Sequence, residues 1–134
     1  MIYVACAIVV DGTKVLVTQR SIKMTLPLKW EFPGGKIEQN ETAEECVIRE
    51  IKEELNIHIH IIAKLIPKVF NYGSFEIELS PFVSNLVSGE VKLAEHSQFK
   101  WMEFTELSNL DWAPADIPVL DDLLKMNYHA RRII

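Results

Sequence analysis

Gly35-Lys36-Ile37-Glu38-Gln39-Asn40-Glu41-Thr42-Ala43-Glu44-Glu45-Cys46-Val47-Ile48-Arg49-Glu50-Ile51-Lys52-Glu53-Glu54-Leu55-Asn56-Ile57 is the stretch that decides the fold. It opens on a glycine pair, Gly34-Gly35, and passes into a run with helical period. Val47, Ile51 and Leu55 recur at i, i+4 and i+8, which predicts a helix over residues 42–55 with one buried face. Thr42-Ala43-Glu44-Glu45 has the form of a capping box, in which the threonine hydroxyl and the glutamate three residues on satisfy each other's backbone N–H groups. Asn56 follows the last apolar position and tolerates the left-handed conformation that helix ends often need.

The polar side of this helix carries chemistry. At about 100° per residue, Glu50, Glu53 and Glu54 fall within an arc of roughly 100°. Charge on a helix is ordinarily a solvated face. Here Arg49 and Lys52 lie at the edge of the arc or away from it, too far to relieve all the repulsion. A divalent cation relieves it, and carboxylate oxygens with water suit a hard ion, Mg²⁺ or Mn²⁺. Spacing alone leaves both readings open.

Working outward, residues 21–40 hold Pro27, Pro33, Gly34 and Gly35 and predict loop with a short strand. Residues 2–10 and 14–20 are β-rich runs joined by a hairpin signal, Asp11-Gly12-Thr13-Lys14. Residues 57–71 and 74–85 predict strands with Gly73 in the turn, and residues 99–104 another. Asp116 to about Tyr128 predicts a second helix with Ile117, Leu120, Leu123 and Leu124 on one face. Strands before, between and after two helices predict a mixed α/β sandwich rather than a doubly wound parallel sheet.

The 134 residues have the size of one domain, spanning 1–134. A content of 49% hydrophobic and 25% charged residues excludes a disordered chain. Fourteen Lys and Arg against nineteen Asp and Glu leave a net charge of −5, which argues against polymeric nucleic acid as a partner. The apolar start, Met1 to Val10, is too short to span a bilayer, so no membrane partner is expected. Cys6 and Cys46 sit in apolar patterns and are expected to be buried free thiols, which fits the cytoplasm. His58, His60, His96 and His129 do not share ligand spacing, so they are expected on the surface or in strands and not around zinc.

The central stretch also matches a known pattern: Gly35, five residues, Glu41, seven residues, then Arg49-Glu50-Ile51-Lys52-Glu53-Glu54-Leu55-Asn56-Ile57. This resembles the Nudix box, Gly-x5-Glu-x7-Arg-Glu-U-x-Glu-Glu-x-Gly-U, where U is a bulky aliphatic. Over the 23 residues eight of nine fixed positions agree, and Asn56 stands where the family has glycine. Asparagine visits positive φ readily, so a small local cost is expected. The likeness to the MutT-like subgroup runs over nearly the whole chain. Trp30-Glu31-Phe32-Pro33-Gly34-Gly35-Lys36-Ile37-Glu38 resembles the strand and loop entering the box. Trp112-Ala113-Pro114-Ala115-Asp116-Ile117-Pro118 resembles the segment that reads the base. Its Ala-Pro-Ala-Asp-Ile-Pro run is similar to that of CTP pyrophosphohydrolases, whereas MutT itself has asparagine in place of Asp116.

The resemblance implies the Nudix fold, an α/β/α sandwich around a mixed β-sheet. It implies Mg²⁺- or Mn²⁺-dependent hydrolysis of a nucleoside triphosphate to monophosphate and pyrophosphate. Glu53 and Glu54 are then the principal metal ligands, joined by the Gly35 carbonyl, and Glu50 is a third ligand or the general base. Arg49 orients a box carboxylate by a bidentate pair, with the neighbouring Glu50 in view. Glu41 favours the helix dipole or supports the ligands from behind. Glu95, in Ala94-Glu95-His96, completes the metal cluster or positions water, against the plainer reading of a loop charge. Arg20 and Lys36 contact phosphates, the plain alternative for Arg20 being a surface charge. Lys36 after two glycines is no P-loop, because the spaced upstream glycine is missing.

Asp116 either caps the second helix or reads the base. An ionised aspartate offers only acceptors and suits the N4 amino group of cytosine, which favours CTP, dCTP and 5-substituted forms. The alternatives are MutT-like hydrolysis of 8-oxo-dGTP, which Asp116 could serve only if protonated in a buried pocket, another diphosphate such as a sugar nucleotide or ADP-ribose, and a non-catalytic nucleotide sensor. A sensor would be expected to lose box carboxylates, and all are present. A monomer is expected, with a dimer open.

Overall fold

The computed structural model describes residues 1–126. Its centre is β1 (Ile2–Asp11), whose side chains alternate between two apolar layers. Cys6, Ile8 and Val10 face one layer, and Ala5, Ala7 and Val9 face the other. A strand buried on both faces needs a continuous apolar run, which is what Val4 to Val10 supplies.

β1 pairs antiparallel with β2 (Lys14–Gln19) and parallel with β7 (Glu76–Ser88). β2 carries β3 (Trp30–Glu31) and β8 (Gln98–Glu103). β7 carries β5 (His58–Lys64) and β6 (Lys68–Asn71). β4 (Gly34–Lys36) lies against β1. The result is an eight-stranded mixed sheet. On one face α1 (Ala43–Leu55) buries Cys46, Val47, Ile51 and Leu55 against Ala5, Val9 and Phe82. On the other, α2 (Ile117–Lys125) buries Val119, Leu120 and Leu123 against Val15, Val17 and Phe104. This is the expected α/β/α sandwich. Leu55 is fully buried, and Leu55→Ala is expected to cost about 2–5 kcal/mol, read by urea unfolding.

Several boundaries differ from the sequence reading. The run 57–71 is two strands, since Pro67 stands in the gap between β5 and β6 and has no N–H for a ladder. Residues 21–40 hold two short strands, not one. The last helix starts at Ile117 after a 3₁₀ turn at Pro114–Asp116, and the expected end near Tyr128 lies outside the described residues. Ile117 faces solvent and Val119 takes its place on the buried face. Cys6 and Cys46 are buried free thiols, as expected.

The ends of α1 place the site. Thr42 accepts from the Glu45 N–H at 3.0 Å, and Glu45 accepts from the Thr42 N–H at 2.8 Å, so the capping box forms. Asn56 closes the helix at φ 61° and sends its N–H to Lys52 O. The Lys92 and Ala94 N–H groups then donate to Leu55 O and Glu54 O, at 3.0 and 3.1 Å. These satisfy helix carbonyls that would otherwise lack partners and fasten the 89–97 loop, with Glu95, to the acidic end of α1.

Candidate active site

A cleft of about 420 Å³ opens between the sheet and the α1 end. Glu50, Glu54 and Glu95 line one part of it, with Gly35 and Lys36 beside them; Asp116 and Tyr72 line it too. Residues 95 and 116 thus line the same cavity as the box residues. Glu53 is not among the lining residues and is more than half exposed.

Arg49 organises the acidic helix face. Its Nε and Nη2 donate to the two Glu41 oxygens at 3.0 and 2.7 Å, which is the bidentate pair. Its Nη1 donates to Glu50 at 3.0 Å and Glu53 at 3.2 Å. The bidentate partner is therefore Glu41, eight residues back, and not the neighbouring Glu50. Adjacent side chains on a helix splay about 100° apart, whereas the 36–42 loop folds Glu41 back onto the guanidinium. Arg49 and the Glu38 N–H hold the Glu41 carboxyl down at about 2, so it stays charged. Arg49 also relieves more of the repulsion than its place at the arc's edge suggested.

Glu54 is the carboxylate Arg49 does not reach. Its Oε2 is buried and has no hydrogen-bond partner among the described residues. Burial pushes its proton affinity up, and Glu95 and Glu50 add to this. Burial also raises the Glu50 carboxyl, against the opposing pull of Arg49. Among the described residues no three His, Cys, Asp or Glu side chains converge as a ready cage. The Gly35 carbonyl faces the Cys46 thiol at 3.5 Å. A Cβ on Gly35 would overlap the Glu50 carboxylate, so this glycine is what lets Glu50 approach β4.

Asp116 and Arg20 depart further from the sequence reading. Asp116 does not cap α2; its Oδ1 accepts from the Phe32 N–H at 3.1 Å across 84 residues. Burial, with the Glu31 charge behind it, pushes the Asp116 carboxyl well above the usual range. Arg20 is not a loose surface charge but is tied to Glu31 and Thr25. Its Nη1 donates to Glu31 at 2.8 Å, Nη2 to Thr25 Oγ1 at 2.9 Å, and Nε to the Thr25 carbonyl. Lys36 is exposed at the cleft, and its carbonyl accepts from Arg49 and Cys46.

His96, expected on the surface or in a strand, is buried in a loop, with Nε2 2.8 Å from Glu31 Oε2. Glu31 thus links His96 to Arg20. Neither Glu31 nor His96 stood out in the sequence. The signal available was that both flank recognised segments, Glu31 before Phe32-Pro33-Gly34-Gly35 and His96 after Glu95. His58 and His60 are exposed on β5, as expected, and His129 lies outside the described residues.

The family model described as NUDIX domain matches residues 1–123. The chain belongs to the NUDIX family. Its curated relatives include the 8-oxo-dGTP diphosphatase of Escherichia coli K12, 31% identical over 119 residues, covering 87% of this chain and 90% of the relative. The CTP pyrophosphohydrolase of the same organism is 29% identical over 126 residues, covering 94% and 93%. Among solved structures, the E. coli ORF135 protein superposes with a TM-score of 0.83 at 28% identity, covering 96% of this chain and 92% of that one. MutT of methicillin-resistant Staphylococcus aureus 252 gives 0.75 at 40% identity, covering 92% and 95%. This NUDIX chain is therefore a hydrolase with the fold the box implied. No described helix is long and apolar enough to cross a membrane.

Proposed function

We propose that the protein hydrolyses nucleoside triphosphates to monophosphate and pyrophosphate with the aid of a divalent cation. The observation that carries this is Glu54 Oε2, buried and without a partner among the described residues, on a side chain that lines the cleft with Glu50, Glu95 and Asp116. A buried carboxylate without a partner is costly unless a cation or proton joins it. The donor set of carboxylates fits Mg²⁺ or Mn²⁺. Glu54, Glu53, Glu95 and the Gly35 carbonyl are the groups that would hold it, with Glu53 swinging in from its exposed position. Bound there, the ion would neutralise phosphate charge and lower the pKa of a water.

Glu50 is suited to take the proton of the attacking water. It lines the cleft, burial raises its proton affinity, and Arg49 Nη1 holds its orientation. Glu50→Gln is expected to lower kcat by about 10²-fold with KM little changed, since a base acts in the transition state. Steady-state kinetics check this; a normal kcat with a raised KM would move Glu50 to substrate binding. Lys36 and the unused Arg20 N–H groups would face the phosphates.

At the base end, CTP and dCTP are the first reading and 8-oxo-dGTP the second, and they need different states of Asp116. Cytosine offers the N4 amino donor and calls for the ionised carboxylate. 8-Oxoguanine places an N7–H donor beside the O6 acceptor, which a neutral acid satisfies with both its atoms. Burial of Asp116 favours the neutral form and is the specific support for the second reading. Its carboxyl is raised, so the charged state fills only as pH climbs past the ordinary carboxylate range. The ratio of kcat/KM for dCTP over 8-oxo-dGTP is therefore expected to rise with pH across that titration. Glu50 and Glu54 act on both substrates alike and cancel in the ratio. A ratio that stays flat as pH rises through the Asp116 titration would remove Asp116 as the reader.

The first experiment is pyrophosphate release from CTP, dCTP, dGTP and 8-oxo-dGTP with Mg²⁺. Turnover of none of them, with binding intact, would favour a sensor. Preference for 8-oxo-dGTP over dCTP by tenfold or more would make nucleotide-pool sanitation the better reading.

A further inference from the structure

Tyr72 stands in the tight turn between β6 and β7, where its N–H donates to Phe75 O at 2.8 Å. Its ring stacks on Phe75 with centroids 5.3 Å apart and leans on Phe70 at 4.7 Å. The hydroxyl reaches across to the segment before α2: the Ala115 N–H donates to Tyr72 Oη at 3.0 Å. A backbone N–H can only donate, so Oη is the acceptor in this bond. The phenol therefore keeps its own O–H proton to give, and no described residue accepts it.

Tyr72 lines the cleft with Asp116, the neighbour of Ala115. Burial pushes its phenol upward, against the pull of the Ala115 N–H, so the proton stays in place at neutral pH. Asp116 spends Oδ1 on the Phe32 N–H and leaves acceptor capacity on its second oxygen. The cleft thus presents a hydroxyl donor and a carboxyl group on neighbouring anchors. With Asp116 in its charged state, which fills as pH rises, the pair complements cytosine, an N3 acceptor beside the N4 amino group. Uracil carries the reverse, an N3–H beside the O4 acceptor, and would set N–H against O–H.

We propose that Tyr72 is a specificity-determining residue whose O–H donates to a ring acceptor of the base beside Asp116. The proposal rests on the cytosine reading of the base pocket. It gives the Phe70, Tyr72 and Phe75 cluster a role beyond packing: the stack fixes the phenol, and Ala115 fixes its lone pair, so the proton is aimed without further ordering.

The test compares dCMP and dUMP binding by calorimetry, with Mg²⁺, for the wild type and Tyr72→Phe. The variant keeps the ring and its stacking. The wild type is expected to bind dCMP more tightly than dUMP. The variant is expected to weaken dCMP by about three- to tenfold, the worth of one hydrogen bond, with dUMP unchanged. Equal weakening of both would mean that Tyr72 only positions the Ala115 segment, and it would overturn the proposal. So would an unchanged ratio, or a wild type that does not separate the two monophosphates. Thermal unfolding of both proteins identifies a misfolded variant, for which Tyr72→Trp, with its own N–H donor, replaces it and is expected to keep dCMP ahead. Because binding of monophosphate is read without turnover, a wild type that binds dCMP but hydrolyses no triphosphate overturns the proposed activity and leaves the assignment of Tyr72 standing.

Discussion

Glu54→Gln is expected to lower kcat by about 10²-fold or more and to leave the metal-free protein as stable as before, or more stable. Both halves follow from one atom. Glu54 Oε2 is buried without a partner among the described residues, and Glu95 and Glu50 lie near enough to oppose its charge. Its folded-state carboxyl is raised, so the charged form weakens the fold at neutral pH. For a raised group the stability is present at low pH and is lost as pH rises through the folded value. Glutamine removes that loss by removing the charge, and with it the ligand. Thermal unfolding with and without Mg²⁺ separates the two effects. The wild type should gain stability on adding the ion and lose activity in excess chelator, whereas the variant should show no such gain. Glu53→Gln is expected to remove most of the activity as well, but without stabilising the metal-free protein, because Glu53 is exposed and already bonded to Arg49. Undiminished turnover in excess chelator would sink the metal assignment for both.

Adjacent glycines should fail in opposite ways. A Cβ on Gly34 would overlap Ala5 O and Cys6 Cα, which are backbone atoms of β1. Gly34→Ala must therefore part β4 from the central strand, at an expected cost of at least about 2 kcal/mol by urea unfolding. The nearest atoms to a Cβ on Gly35 all belong to the Glu50 carboxylate, the far end of a flexible side chain. Gly35→Ala is expected to fold with little loss and to cut kcat by about 10²-fold, because a displacement of about 1 Å at a reacting group can cost that much. If Gly35→Ala kept full activity, the approach of Glu50 to β4 would have no part in the chemistry.

What could be read without the fold was local. The α1 limits, the Thr42–Glu45 box and the αL turn at Asn56 each depend on residues within five positions, and they form as read. The spacing of Glu50, Glu53 and Glu54 is likewise a property of one helix. Residues 2–10 read as an apolar β-rich run and form β1; that its side chains divide between two core layers was shown by the fold.

Contacts across the chain were not readable in this way. Arg49 takes Glu41 bidentately only because a loop turns back, and Asp116 gives up the helix cap because Phe32, 84 residues away, offers a buried N–H. His96 finds Glu31 across 65 residues. Most telling is the Asp116 proton. The residue type suggested an ionised acceptor, but burial and the Glu31 charge act against ionisation. Charge state is set by solvent exclusion and by neighbours in space, and neither is written in a linear spacing. The sequence by itself determined which helix carries the carboxylates; only the tertiary structure decided which carboxylate is left without a partner, since desolvation is a property of the assembled cleft.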